Sequence, residues 1–519
     1  MTSAPGATAR TFTGPPALAL WLLAVIALAG VVTLLLTRRA RRDSTDPARL
    51  AGSRELGPLR IPAPVRGRVT LGSHGRRLLA AATRTSVAVV GPSQSGKTSG
   101  LVIPAVLEWD GPVLSTSVKS DVAGDTYTAR TNRGEVRVFD PSALTLMPHA
   151  PWSPIAASGT WQGARRTAAR LLGLGEHAIA RSADESFWRP AGTRYLAPLL
   201  LAAAQGNLTM REVLAWTNTC EQAEPTELLF LCRQSGSKAA LQALESVWGA
   251  DARFRSSLLQ TVATALDAWQ EPQIAAATIG ESQISPEWLL DGPNTLYLVS
   301  PADDQRRLRG LFCALLAHIL AGAFERATET GRPLDPPLLL ALDEAANIAP
   351  LPNLDEIAST GPGQGVQLLT VLQNMSQAAD RWGSERAETI LANHRARVYC
   401  SGIGDRATLE HLRSTLGEQE ITRTSTHRQS PLATPSRTIS RELHALAAAH
   451  RVRETPPEKA LLVYAHLPPV WITLRPWYRS RELTATATGQ PLLHASRRPV
   501  RVWIARLSTL RGWRALRAR

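Results

Sequence analysis

The chain has 519 residues, 44% hydrophobic and 19% charged, a balance that excludes a disordered polymer and allows two or three folded domains. Its formal net charge of +15 suits a polyanionic or membrane-surface partner and not an acidic, solvating chain. Cys220, Cys232, Cys313 and Cys400 are scattered without CxxC or metal-ligand spacing, which excludes a disulfide scaffold and reads as reduced thiols of a cytoplasmic body.

After a short tail (1–16), Ala17 to Leu36 runs uncharged through ALALWLLAVIALAGVVTLLL, the length that crosses a bilayer as one helix. Arg38, Arg39, Arg41 and Arg42 follow it and only Arg10 precedes it. Positive charge stays on the cytoplasmic side, so the spacing predicts a single-pass cell-membrane anchor with its N-terminus outside and its body inside. A cleaved signal peptide would need a shorter apolar core and a small-residue cleavage site, which TRRARR does not supply. Residues 37–65 are polar and Pro-punctuated and read as a linker.

An α/β pattern follows. TSVAVVG (85–91), PVLSTSV (112–118) and EVRVFDP (135–141) are short β-branched runs separated by helical stretches. Residues 157–291 change to long Ala/Leu/Arg/Glu-rich segments of helical period. Strands resume at NTLYLVS (294–300), then PLLLALDE, VQLLTVLQ and ARVYCSG. Strands alternating with helices predict a parallel sheet covered on both faces. The fold class is therefore α/β: a RecA-like P-loop domain (66–156 and 292–480) carrying an inserted all-α domain (157–291), plus one N-terminal transmembrane helix. Ile421–Ser440, rich in Ser, Thr, Arg and Pro, reads as a mobile loop. Residues 481–519 form a basic tail in which Arg497, Arg498, Arg501, Arg506, Arg511, Arg514, Arg517 and Arg519 are interleaved with Trp503 and Trp513. Such a tail suits phosphate backbones or anionic lipid, and equally a solvated terminus.

Gly91, Pro92, Ser93, Gln94, Ser95, Gly96, Lys97 and Thr98 complete a G-x-x-x-x-G-K-[ST] between a strand and an apolar helix. Glycines let consecutive N–H groups curl around phosphate oxygens, Lys97 reaches the β and γ phosphates of ATP, and the Thr98 hydroxyl ligates Mg²⁺. Lysine occurs elsewhere only at Lys119, Lys238 and Lys459, so a chance match is improbable. Pro337–Leu342 is an apolar strand ending in Asp343 and Glu344: Asp343 is expected in the Mg²⁺ shell and Glu344 to polarise the attacking water. Gln373, ending the next strand, is expected to sense the γ-phosphate or orient water.

At these residues the sequence resembles the TraG/TraD-like coupling proteins of conjugation and type IV secretion. GPSQSGKTSGLVIP resembles their P-loop, VLSTSVKSDV with Lys119 and Asp121 their second strand, and VFDP with WSPI and SFW the approach to their all-α domain. ALDEAANIAPLPNL resembles their Walker B region, LQNMSQ their Gln-x-x-Ser-Gln motif, and LRPWYRSREL their closing Pro-Trp-Tyr. The resemblance spans about residues 60–483. It implies an inner-membrane, homo-hexameric ATPase that receives a relaxase–single-stranded DNA complex and hands it to the components of a type IV secretion channel. The insert, which lacks phosphate-binding motifs, is expected to recognise the cargo. Alternatives are an FtsK/TraB-like double-stranded DNA pump, for which the tail is too short to hold a winged helix, and an ATP-gated receptor with little hydrolysis. Two features depart from the family pattern: one membrane helix instead of two, and no arginine between Ser359 and Gly365 to reach a neighbouring subunit's site. Arg395 and Arg397 are the remaining candidates for that trans cation.

Overall fold

The apolar runs lie side by side in one sheet in the computed structural model, which describes residues 48–172, 183–231, 236–280, 282–301, 303–427 and 436–490. The anticipated membrane helix at 17–36, the tail before it and the arginines of 497–519 lie outside the described residues.

Three short strands come first, β1 (Arg60–Ile61), β2 (Thr70–His74) and β3 (Arg77–Ala80). The seven runs follow as β4 (Val87–Val90), β5 (Val113–Ser117), β6 (Val136–Phe139), β7 (Thr295–Val299), β8 (Leu338–Leu342), β9 (Val366–Leu372) and β10 (Ala396–Cys400). Next come β11 (Glu418–His427) and β12 (Ser436–Ala445), then β13 (Lys459–Tyr464) and β14 (Leu467–Thr473). The large sheet has the order β1-β3-β2-β14-β13-β10-β4-β9-β8-β5-β7-β6. From β10 to β6 every neighbouring pair is parallel. Strands β4, β5, β7, β8 and β9 are buried at every position, which is why they read as unbroken apolar runs.

The antiparallel flank from β13 to β1 extends the all-parallel sheet expected from sequence. Only Ala465 (φ +44°) and His466 separate β13 from β14, and so short a turn permits only antiparallel pairing. The end of the expected linker also folds. Leu56, Leu59 and Ile61 are buried, and β1 pairs with β3.

Helix α1 (Thr98–Glu108) follows β4, and α2 (Asp121–Thr131) follows β5. Between β6 and β7 every described element is helical, from the turn at Pro154–Ser158 to the helix Pro286–Leu290. Here α3 (Trp161–Leu172) packs on α4 (Ala183–Gln205) and on the post-β7 helix α5 (Gln305–Thr330). The helical segment therefore shares one compact unit with the sheet, Ala51–Glu410 with the described residues from Ala449 on. Trp152 pins the joint, edge-on to Phe139, which is edge-on to Phe312. Helix α5 is the one described helix long and apolar enough to cross a membrane. Its Leu308, Leu311, Phe312, Leu315, Leu316 and Ile319 are fully buried, so that apolarity serves the core.

The described residues up to Leu50 and His411–Ala448 form a second unit. Ile421–Ser440, expected as a mobile loop, is mostly a hairpin: β11 and β12 pair antiparallel from Glu418↔Ala445 to His427↔Ser436. Ile421, Thr422, Thr424, Thr426, Thr438 and Ile439 are β-branched and favour extended backbone, a preference outweighed in the sequence reading by the turn-forming Ser and Pro around them.

Candidate nucleotide-binding site

At the end of β4 the chain folds back as the loop Gly91–Thr98. The Gly91 N–H donates to the Leu372 carbonyl of β9 (3.2 Å). A Cβ on Gly91 would lie 2.7 Å from the Cys400 Cβ and 2.8 Å from the Ser95 Oγ, so only glycine fits there. Gln94 (φ +65°) and Gly96 (φ +84°) adopt left-handed backbone and close the curl. Inside it, the Lys97 Nζ donates to the carbonyls of Gly91 and Pro92, each at 2.6 Å. Lys97 is only 7% exposed. Burial lowers its pKa, while Cys400, Asp343 and Glu344 favour its charged form. Thr98 opens α1 with a π-type turn (Thr98–Val102), directing that helix's positive end at the loop.

Strand β8 delivers Asp343 to the same edge, where the Thr98 Oγ1 donates to Asp343 Oδ2 (2.8 Å). The Thr116 hydroxyl of β5 donates to the Asp343 backbone carbonyl (3.1 Å). Asp343 is 5% exposed, and its Oδ1 is buried without a partner. Burial is the main cause pushing this carboxyl up to about 6; Asp121 and Glu344 add to it, and the Thr98 hydroxyl and Lys97 oppose it. A buried, unpartnered carboxylate oxygen beside a threonine hydroxyl is a donor set that fits Mg²⁺.

Glu344 leaves the strand in left-handed backbone (φ +52°, ψ +48°) ahead of α6 (Ala345–Ile348). Its Oε2 accepts from Asn347 Nδ2 (3.1 Å), and Asn347 Oδ1 accepts from Gln377 Nε2 (2.9 Å) on α7 (Met375–Trp382). The register pairs Val90 with Leu372, so Gln373 lies beside Gly91. Thus Lys97, Thr98, Asp343, Glu344 and Gln373 all meet at the C-terminal edge of the parallel strands. Arg395 and Arg397 do not: Ala396 and Arg397 pair with Val87 and Ala88, at the opposite edge of their own sheet.

Three features had no role assigned from the sequence. Cys400 walls the loop behind Gly91, its thiol neutral because burial pushes it up to about 12. Asn347 and Gln377 hold the Glu344 carboxylate. The segment after β14 closes over α1: Leu474 lies against Gly100, and Arg475 Nη1 pairs with Glu108 Oε1 at 2.6 Å in a largely buried bridge. Its only signal was the LRPWYRSREL motif, which carries no spacing of its own.

Residues 61–498 match the family model described as Type IV secretory system Conjugative DNA transfer. Protein VirD4 of Rhizobium rhizogenes is 24% identical over 89% of this chain and 70% of its own length. Protein VirD4 of Rhizobium radiobacter is 24% identical over 76% and 57% respectively, and conjugal transfer protein TraG of Escherichia coli 23% over 67% and 58%. The chain thus spans little more than half of two of these relatives. Among solved structures, the bacterial conjugative coupling protein TrwBdeltaN70 superposes with a TM-score of 0.62 at 19% identity, covering 83% of this chain and 93% of that one. Plasmid coupling protein TrwB in complex with ADP and Mg²⁺ superposes at 0.60 with 20% identity, covering 83% and 94%.

Proposed function

The chain belongs to the Type IV secretory system conjugative DNA transfer family, and from that premise we propose that it is a membrane-anchored ATPase that recruits a relaxase–single-stranded DNA complex and drives or gates its transfer into a type IV secretion channel. The observation that carries the ATPase reading is the Thr98–Asp343 hydrogen bond beside the unpartnered Asp343 Oδ1. It joins loop and carboxylate strand where Mg²⁺ and phosphates would be held. The N–H groups of Gly91–Thr98 and the Lys97 ammonium would bind phosphate oxygens, Thr98 and Asp343 would hold the metal, and Glu344 would accept a proton from the attacking water. A bound Mg²⁺ supplies charge neutralisation at the transferring phosphoryl group. A ring of six subunits would close each site from a neighbour and surround a channel able to track a phosphate backbone.

The test is phosphate release by the full-length protein in detergent, with single-stranded, double-stranded or no DNA. Stimulation by single strands, lost in Lys97→Ala, is expected. Preference for double strands would favour a duplex pump. Tight ATP binding with negligible turnover would favour the gated receptor, the reading supported by the lack of arginine between Ser359 and Gly365.

A further inference from the structure

Helix α7 grips the segment that follows Asp343 and Glu344 at three points. Gln377 Nε2 donates to Asn347 Oδ1, Arg381 Nε to the Ala346 carbonyl (2.9 Å) and Trp382 Nε1 to the Leu351 carbonyl (2.9 Å). Gln377 and Arg381 are four residues apart and so share one face of the helix. The Gln377 contact differs from the other two because it ends on a side-chain amide that has two chemically opposite faces. With Oδ1 engaged by Gln377, only the Nδ2 donor of Asn347 can face Glu344, and it does so at 3.1 Å. Turned over, the amide would present an oxygen to the carboxylate and repel it.

We propose that Gln377 is a positioning residue for hydrolysis: by fixing the Asn347 amide it orients the Glu344 carboxylate. The inference rests on the ATPase reading of the site. Gln377 touches no reacting atom; it acts through Asn347, which in turn holds the base against the left-handed turn at Glu344.

The experiment measures phosphate release and nucleotide affinity for four full-length variants. Asn347→Ala and Gln377→Ala should lower kcat about 10- to 100-fold while nucleotide affinity stays within about twofold. Gln377→Glu, an acceptor that turns the amide over, should lose more than Gln377→Ala. Gln377→Lys, which keeps a donor, should recover most of the rate. Turnover by Gln377→Glu near that of the unaltered protein would sink the assignment, as would losses of rate matched by equal losses of affinity. No phosphate release from the unaltered protein would instead overturn the ATPase reading, and this inference with it.

Discussion

Arg130 and Asp343 are buried charges at opposite edges of the same parallel sheet, and their surroundings differ in kind. Arg130, on α2, is 0% exposed. Its guanidinium donates to the Thr295 hydroxyl (2.7 Å) and to the carbonyls of Trp109 (2.5 Å), Gly111 (2.8 Å) and Pro293 (2.8 Å). These acceptors lie where β5 and β7 begin, so one side chain ties two strands together. Burial lowers its pKa to about 10, and it remains charged at neutral pH. At the C-terminal edge Asp343 keeps one oxygen without a partner, and Lys97 has only two carbonyls for three protons. A buried charge with a partner at every polar atom, as at the three Arg130 nitrogens, fixes a fold, whereas one with an unpartnered atom, as at Asp343 Oδ1, is free to take a ligand.

The largest expected effect tests the incomplete edge. Lys97→Ala removes the only ammonium in the loop, and hydrolysis should fall by at least about 1,000-fold with little change in melting temperature. Full turnover by this variant would show that the loop holds no phosphate. The complete edge should respond in the opposite way. Arg130→Met leaves the Thr295 hydroxyl and the Gly111 and Pro293 carbonyls without a donor and should destabilise the protein by about 3–5 kcal/mol, read by chemical denaturation; a loss below about 1 kcal/mol would end the contrast.

Asp343→Asn sharpens the comparison by reversing a sign. A carboxyl held at about 6 against an ordinary 3.8 binds its proton more tightly in the folded state. Its contribution to stability is present below about pH 4 and is lost as the pH rises through 6. The metal-free Asn variant should therefore be more stable than the unaltered protein at pH 7.5, on the order of 3 kcal/mol, and should lack that pH dependence. Mg²⁺-dependent nucleotide binding should weaken in the unaltered protein below pH 6 and be lost in the variant at every pH. Equal stability at pH 7.5 would mean that the carboxylate carries no penalty.

The same contrast explains what the sequence revealed. β4, β8 and β9 were legible because strands buried on both faces must be apolar throughout, and the phosphate loop because its chemistry fixes residue types at fixed intervals. β14 was not, since Pro468 and Pro469 argue against a strand until the edge that tolerates them is seen. β2, with Gly72, Ser73 and His74, lacks an apolar run, and β11 and β12 were hidden by flanking turn formers. Asn347 and Gln377 were visible only as members of the ALDEAANIAPLPNL and LQNMSQ motifs, which gave neither a role. A polar residue three or four positions along a helix reads as surface, and only folding shows that two such residues meet beneath a carboxylate. The Arg130 knot was equally silent, because one arginine among so many carries no information.

Leu474 and Arg475, set against Gly100 and Glu108, bear on how the protein is made. The phosphate loop leaves the ribosome early, whereas its neighbours β9 and β10 follow much later and the segment that covers α1 later still. At about 5–20 residues per second, that interval is roughly 20–75 seconds. For most of it the nascent chain lacks β9 or β10, the strands that flank β4, and for all of it the segment that covers α1. A message truncated before residue 474 therefore yields a chain in which α1 lacks the cover that Leu474 and Arg475 give it.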